Sequence, residues 1–121
     1  MEIISSKQTA EHYTWGENCE SWVLIKREGI TVKHERIPSG AREQLQFQNA
    51  AQQFFFMLLV VATLHVEDNS YSISEQQSIL VYPKTKHLIV NNGGSETEFL
   101  VVSQPLTDHD RVDVEQGGLT H

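Results

Sequence analysis

The chain is written in short apolar runs, each closed by turn residues, and this punctuation limits what it can fold into. Trp22-Val23-Leu24-Ile25 ends at the turn signal Glu28-Gly29, and Ile30-Thr31-Val32 resumes beyond it. Pro38-Ser39-Gly40 breaks the chain again, after which Gln44-Leu45-Gln46-Phe47-Gln48 alternates polar and apolar with the period of a two-faced strand. Phe54 to Val66 is long for one strand and too rich in aromatic and β-branched residues for a helix. Glu67-Asp68-Asn69-Ser70 supplies a turn, followed by Tyr71-Ser72-Ile73, Ile79 to Tyr82, His87 to Val90, the turn Asn91-Asn92-Gly93-Gly94, and Glu98 to Val102 before Pro105. About eight or nine short strands at near-regular spacing predict an all-β sandwich or barrel.

The 121 residues accommodate one domain. Within it we expect an N-terminal arm over 1–19, a barrel over 20–105 and a polar, solvated tail over 106–121. Residues 5–14 are polar and compatible with a short helical turn or an extended arm. Asp108-His109-Asp110 offers metal-donor types, but in such a tail it reads as exposed polar chain. Nine Lys and Arg against sixteen Asp and Glu leave a formal charge of −7. That balance argues against nucleic acid or anionic membrane as partner. The opening Met1-Glu2-Ile3-Ile4-Ser5-Ser6-Lys7 lacks the pattern of a secretory signal, and Phe54 to Leu64 is about half the length of a spanning helix. A soluble cytoplasmic protein is expected. Cys19 is the single cysteine, flanked by Glu17, Asn18 and Glu20, whose charge disfavours a thiolate; a structural role is expected.

From Pro38 to Asn91 the order of strands and turns resembles the cupin family, small double-stranded β-helix barrels of jelly-roll type. Pro38-Ser39-Gly40 matches the opening of that family's first motif, Gly-x5-His-x-His-x3,4-Glu-x6-Gly, and Gln53 to Leu58 resembles the strand that follows. Ala62-Thr63-Leu64-His65-Val66 resembles the strand beyond the family's glycine turn. The second motif, Gly-x5-Pro-x-Gly-x2-His-x3-Asn, survives as Pro83-Lys84-Thr85-Lys86-His87-Leu88-Ile89-Val90-Asn91. Glu98 to Pro105 is similar to a cupin C-terminal strand. The resemblance spans residues 20 to 105 and implies an all-β cupin fold.

The same resemblance places Gln46 and Gln48 where the family has its two histidines, Gln53 at its glutamate, and leaves His87 as the one remaining ligand. Val60, Gln77 and Thr85 stand where the motifs have glycines, and one residue is missing between Pro83 and His87. A glutamine offers only a neutral amide oxygen, so one imidazole with three amides makes a poor site for iron, zinc, nickel or manganese, and at best a weak one for calcium. The metal-dependent chemistry of the family is not expected to carry over. Gln46, Gln48, Gln53 and His87, with Phe55 and Met57 sharing the parity of Gln53, then either surround a polar pocket for a small molecule or satisfy one another in a filled barrel.

Elsewhere the sequence names no catalytic constellation. Ser39 and Ser78 lack a nucleophile elbow, and phosphate-loop, paired-cysteine and EF-hand patterns are absent. His34 and His65 fall on expected strands, and His12 beside Tyr13 and Trp15 is expected to pack across the barrel. The runs Trp22 to Ile25, Phe54 to Val61 and Phe99 to Val102 carry more apolar surface than one barrel face needs, which suggests a homodimer. The expectation is thus a cupin that binds an unknown small molecule without a cofactor. The alternatives are a dioxygenase- or isomerase-type metalloenzyme with a divalent metal at His87, and a structural or regulatory dimer without a ligand.

Overall fold

The computed structural model describes residues 2–105 and 109–115. Among them every regular element is a strand. One sheet runs β1 (Glu11–Trp15), β2 (Cys19–Arg27), β3 (Ile30–Ile37), β10 (Thr97–Gln104), β5 (Gln52–Leu59), β8 (Ser78–Val81). The second runs β11 (Arg111–Asp113), β4 (Gln46–Gln48), β9 (His87–Val90), β6 (Val61–Val66), β7 (Asn69–Ser74). All pairings are antiparallel. The chain is thus all-β, as its punctuation predicts, in the jelly-roll-like arrangement that the resemblance implies.

Strand alternation decides what fills the space between the sheets. On β5, Phe55 and Met57 point inward and are buried, while Phe54 stays exposed. Ile37, Leu64, Val81, Ile89, Phe99 and Val101 meet them from neighbouring strands in one core cluster that also takes in Cys19. Burial, then the charge of Glu35, push the Cys19 thiol up to about 11, which agrees with a structural role.

The two sheets are stitched where the first and second motifs meet. Gly40, at φ 83, donates its N–H to Asn91 O at 2.8 Å, and Asn91 N–H returns to Ala41 O at 3.0 Å. The positive φ explains a glycine there, since a side chain resists that region. The Asn91 side chain is fully buried; its Nδ2 donates to Ile37 O and Ser95 O, and its Oδ1 accepts from Gly93 N–H.

The run from Phe54 to Val66 is two strands, broken at Val60, where the resemblance places the family's glycine turn. Two expectations change. Residues 111–113, expected in a solvated tail, form β11 and pair with β4 through Arg111↔Gln48, Val112↔Phe47 and Asp113↔Gln46. Asp110 anchors them, its carboxylate accepting the N–H groups of Ala50 and Ala51 at 2.9 Å. Asp108 lies outside the described residues. Finally, the arm is a strand from Glu11, and His12 is not packed across the barrel: it faces outward, 5.1 Å from the Trp22 ring and bonded to Glu20.

The glycine-type turns of the family pattern are present without their glycines. Val60 sits at φ 64, Gln76 at φ 68 and Lys84 at φ 63. The latter two lie one residue before Gln77 and Thr85, the positions that the motif spacing marks. For a β-branched side chain the left-handed region is costly, about 1–2 kcal/mol. Val60→Gly removes that cost and returns part of it as unfolded-state entropy, so a net gain of about 0.5–1 kcal/mol is expected. A rise in the thermal midpoint with unchanged circular dichroism checks it; a fall would show that the partly exposed Val60 side chain contributes more by packing than its backbone costs.

Candidate functional site

Between the sheets, at the end bounded by β1, β4 and β11, lies a cavity of about 680 Å³, within the range of small-molecule sites. Gln46 and Gln48 reach it from β4, Gln53 and Phe55 from β5, and Val101 and Ser103 from β10. Of the six residues singled out in the sequence, four therefore line it. Met57 does not: it lies deeper, buried in the core, its thioether 3.2 Å from the Thr97 hydroxyl, which donates to Leu59 O at 2.8 Å. His87 is also buried behind the cavity, edge-on to the Phe55 ring at 5.8 Å.

His87 is committed to the protein on both sides. Its Nδ1 lies 2.9 Å from Thr85 O, an acceptor, so the proton sits on Nδ1. Burial, then its position near Arg111 against that carbonyl bond, leave its pKa below the ordinary value, which keeps the ring neutral. Nε2 is then a lone pair facing the amide end of Gln53 at 3.0 Å. The consistent arrangement has the Gln53 NH2 donating to Nε2 and its carbonyl accepting from the Ser103 hydroxyl, 3.1 Å from the other end of the amide.

The other two glutamines form a second pair. Gln48 Nε2 donates to Gln46 Oε1 at 3.4 Å, and Gln46 in turn hydrogen-bonds the Glu43 carboxyl. Gln48 is 4% exposed, and its Oε1 has no partner among the described residues. An unmatched buried carbonyl costs free energy, about 1–3 kcal/mol, unless a donor meets it.

Sequence reasoning missed the acidic wall. Glu35 on β3 and Glu43 before β4 both line the cavity and both are buried. Trp15 Nε1–H donates to Ser21 Oγ at 2.8 Å, and Ser21 donates to Glu35 Oε2 at 2.5 Å. Ile89 N–H donates to Glu43 Oε1 at 3.1 Å. Burial raises the Glu35 pKa; burial and then the nearby Glu35 charge push Glu43 up to about 8. Inward parity on β3 signals Glu35, because Thr31, Glu35 and Ile37 are buried on one face. Nothing local signals Glu43. Tyr13 and Trp15 of the arm, and His109 and Arg111 of the returning C-terminal segment, complete the walls.

His34 and His65 lie elsewhere, His34 bonded to Glu98 at 2.6 Å and His65 to Ser70 at 2.8 Å. The donor set does not suit a transition metal. The one imidazole at the motif positions is engaged at both nitrogens, and among the described residues no three His, Cys, Asp or Glu side chains group together as ligands.

No family model matches the chain, and no curated protein matches it. Solved structures do. A His-to-Gln variant of Streptomyces PAC13 with uridine has a TM-score of 0.81 at 13% identity, over 95% of this chain and 92% of that one. An RmlC-like cupin from Shewanella frigidimarina superposes with a TM-score of 0.79 at 14% identity, over 90% and 96%. KdgF from a Halomonas species gives 0.78 at 10% identity, over 88% and 98%. At these identities the likeness establishes the fold: the chain is a small cupin-type double-stranded β-helix.

Glu43 makes stability depend on pH. Its folded pKa of about 8 lies above the ordinary 4.5, so the folded chain holds this proton more tightly than the unfolded one. The stabilisation is complete below the ordinary value and fades as pH rises through the folded one, by about 2–4 kcal/mol. Denaturant midpoints measured from about pH 5 to about pH 8.5 should fall on the alkaline side, and Glu43→Gln should flatten that slope. An equal slope in the variant would assign the effect to another group.

Proposed function

We propose that this cupin-fold barrel binds a small polar organic molecule without a metal, in the cavity walled by Gln46, Gln48 and Gln53. The buried, unpartnered Gln48 carbonyl carries this reading, because a filled barrel would have satisfied it. The chemistry of the four motif positions supports it. Three neutral amides bring no charge to offset a divalent cation, and His87 is held by Thr85 and Gln53. The PAC13 variant structure contains uridine, so a barrel of this fold has held an organic molecule. That remains an analogy of fold, since sites are grafted onto folds independently. A single buried thiol suits a cytoplasmic setting, and no helix among the described residues is long and apolar enough to cross a membrane.

The test is native mass spectrometry and elemental analysis of the untagged chain, purified without chelator. The expected result is an organic adduct that is lost on denaturation and depleted in Gln48→Leu, with no stoichiometric transition metal. Stoichiometric metal that disappears in His87→Ala would overturn the reading in favour of the metalloenzyme.

The same barrel is proposed to be a homodimer through the outer face of its six-stranded sheet. Register aligns Leu80, Phe54, Val102, Val32 and Ile25 in one apolar row across five strands, with Phe54 and Leu80 exposed. Such a continuous face favours burial against a second copy. Light scattering coupled to size exclusion should report a dimer, and Phe54→Glu with Leu80→Glu a folded monomer; a monomeric wild type would refute the interface.

A further inference from the structure

The cavity is polarised along its depth. At the inner end stand Glu35 and Glu43, 9% and 8% exposed, together with the Gln48 carbonyl. Each carboxylate is held by neutral donors: Ser21 for Glu35, and Ile89 N–H and Gln46 for Glu43. Among the described residues no Lys or Arg forms an ion pair with either. Two buried carboxyls without a paired cation hold their protons, and a positive group entering beside them would let them ionise and pair with it. The rim has the opposite sign. Arg42 and Arg111 are exposed there and Lys33 is half-buried against the Tyr13 hydroxyl, with Glu17 as the rim's one lining acid. Arg111 also bonds Asp113 at 2.7 Å, which leaves Arg42 as the freer guanidinium on that side.

We infer that the cavity takes a small amphoteric molecule, its ammonium held by Glu35, Glu43 and the Gln48 carbonyl, and its carboxylate or phosphate by Arg42 and Arg111 at the rim. This rests on the binding reading above and names the ligand class. An ammonium has three N–H donors and no acceptor, and the inner end presents three acceptor groups. A hydroxyl would meet the same groups but bring no positive charge for the carboxylates to pair with. A guanidinium fork fits a planar carboxylate or phosphate, and being exposed it tolerates ligands of different length. The Trp15 and Phe55 rings bound the space between and suit a short methylene chain.

The experiment is calorimetric titration of the full chain with ω-amino acids from β-alanine to 6-aminohexanoate. Hexanoate, the matching amino alcohols and uridine serve as controls. One or two chain lengths should bind, with affinity falling about tenfold or more in the Glu35→Gln, Glu43→Gln double variant. Arg42→Ala with Arg111→Ala should weaken the amino acid and leave the amino alcohol unchanged. Because the rim residues are exposed, that variant decides the matter even if the carboxyl variant fails to fold. Binding of hexanoate or uridine as tight as that of any amino acid would overturn the assignment. So would the absence of binding by every ω-amino acid, or wild-type affinity in the folded carboxyl variant. An organic adduct in the native spectrum without ω-amino acid binding removes this ligand class and leaves the binding reading standing; absence of both removes the two together.

Discussion

Asn91 is the residue through which the two sheets know each other's position. It follows β9 in one sheet, and its buried side chain donates to the carbonyl of Ile37 at the end of β3 in the other. Both of its amide hydrogens and its carbonyl are used, and its main chain is locked to Gly40 and Ala41. A fully satisfied buried amide is directional in a way that apolar packing is not. It fixes the separation of the sheets at the end where Glu43 and β4 depart, and hence the positions of Gln46 and Gln48 on the cavity wall.

This divides the cupin-like motifs into two kinds of residue. Gly40, Pro83 and Asn91 shape the backbone, and they are present. Gln46, Gln48 and Gln53, which the sequence resemblance aligns with the family's metal ligands, bond sideways to each other, to His87 and to Ser103. The scaffold and the chemistry are therefore separable in this chain. The barrel needs the turn and the buried asparagine, whereas the side chains lining its cavity can change without changing the fold.

The fold was legible because alternation and turn residues are local signals. Gln46-Phe47-Gln48 reads as a two-faced strand and is one. Val60 was harder, because a valine is not itself a turn signal, and only the spacing of the cupin-like pattern marked the break between β5 and β6. The site was half legible. Counting from Gly40 located the glutamines, since the motif spacing is a distance along the chain. Glu35 was signalled only by its parity with Thr31 and Ile37 on β3, and Glu43 escaped because its burial comes from β9 and neighbouring segments, which no spacing records. Met57 shares the parity of Phe55, yet two residues along the strand is enough to carry it from the cavity into the core.

The anchoring of β11 by Asp110 has a consequence for the stability of the cavity wall. One wall of the cavity is a three-residue strand held to β4 by its ladder, by the Asp110 carboxylate on Ala50 and Ala51, and by Val114 N–H on Leu45 O. None of these bonds belongs to the apolar cluster around Phe99 and Ile37. The wall beside Gln46 and Gln48 is therefore held by directional hydrogen bonds from backbone amides, polar side chains and one carboxylate, and the hydrophobic centre does not depend on it. Amide exchange at Ala50, Ala51 and Val114 would measure the stability of that wall separately from the core.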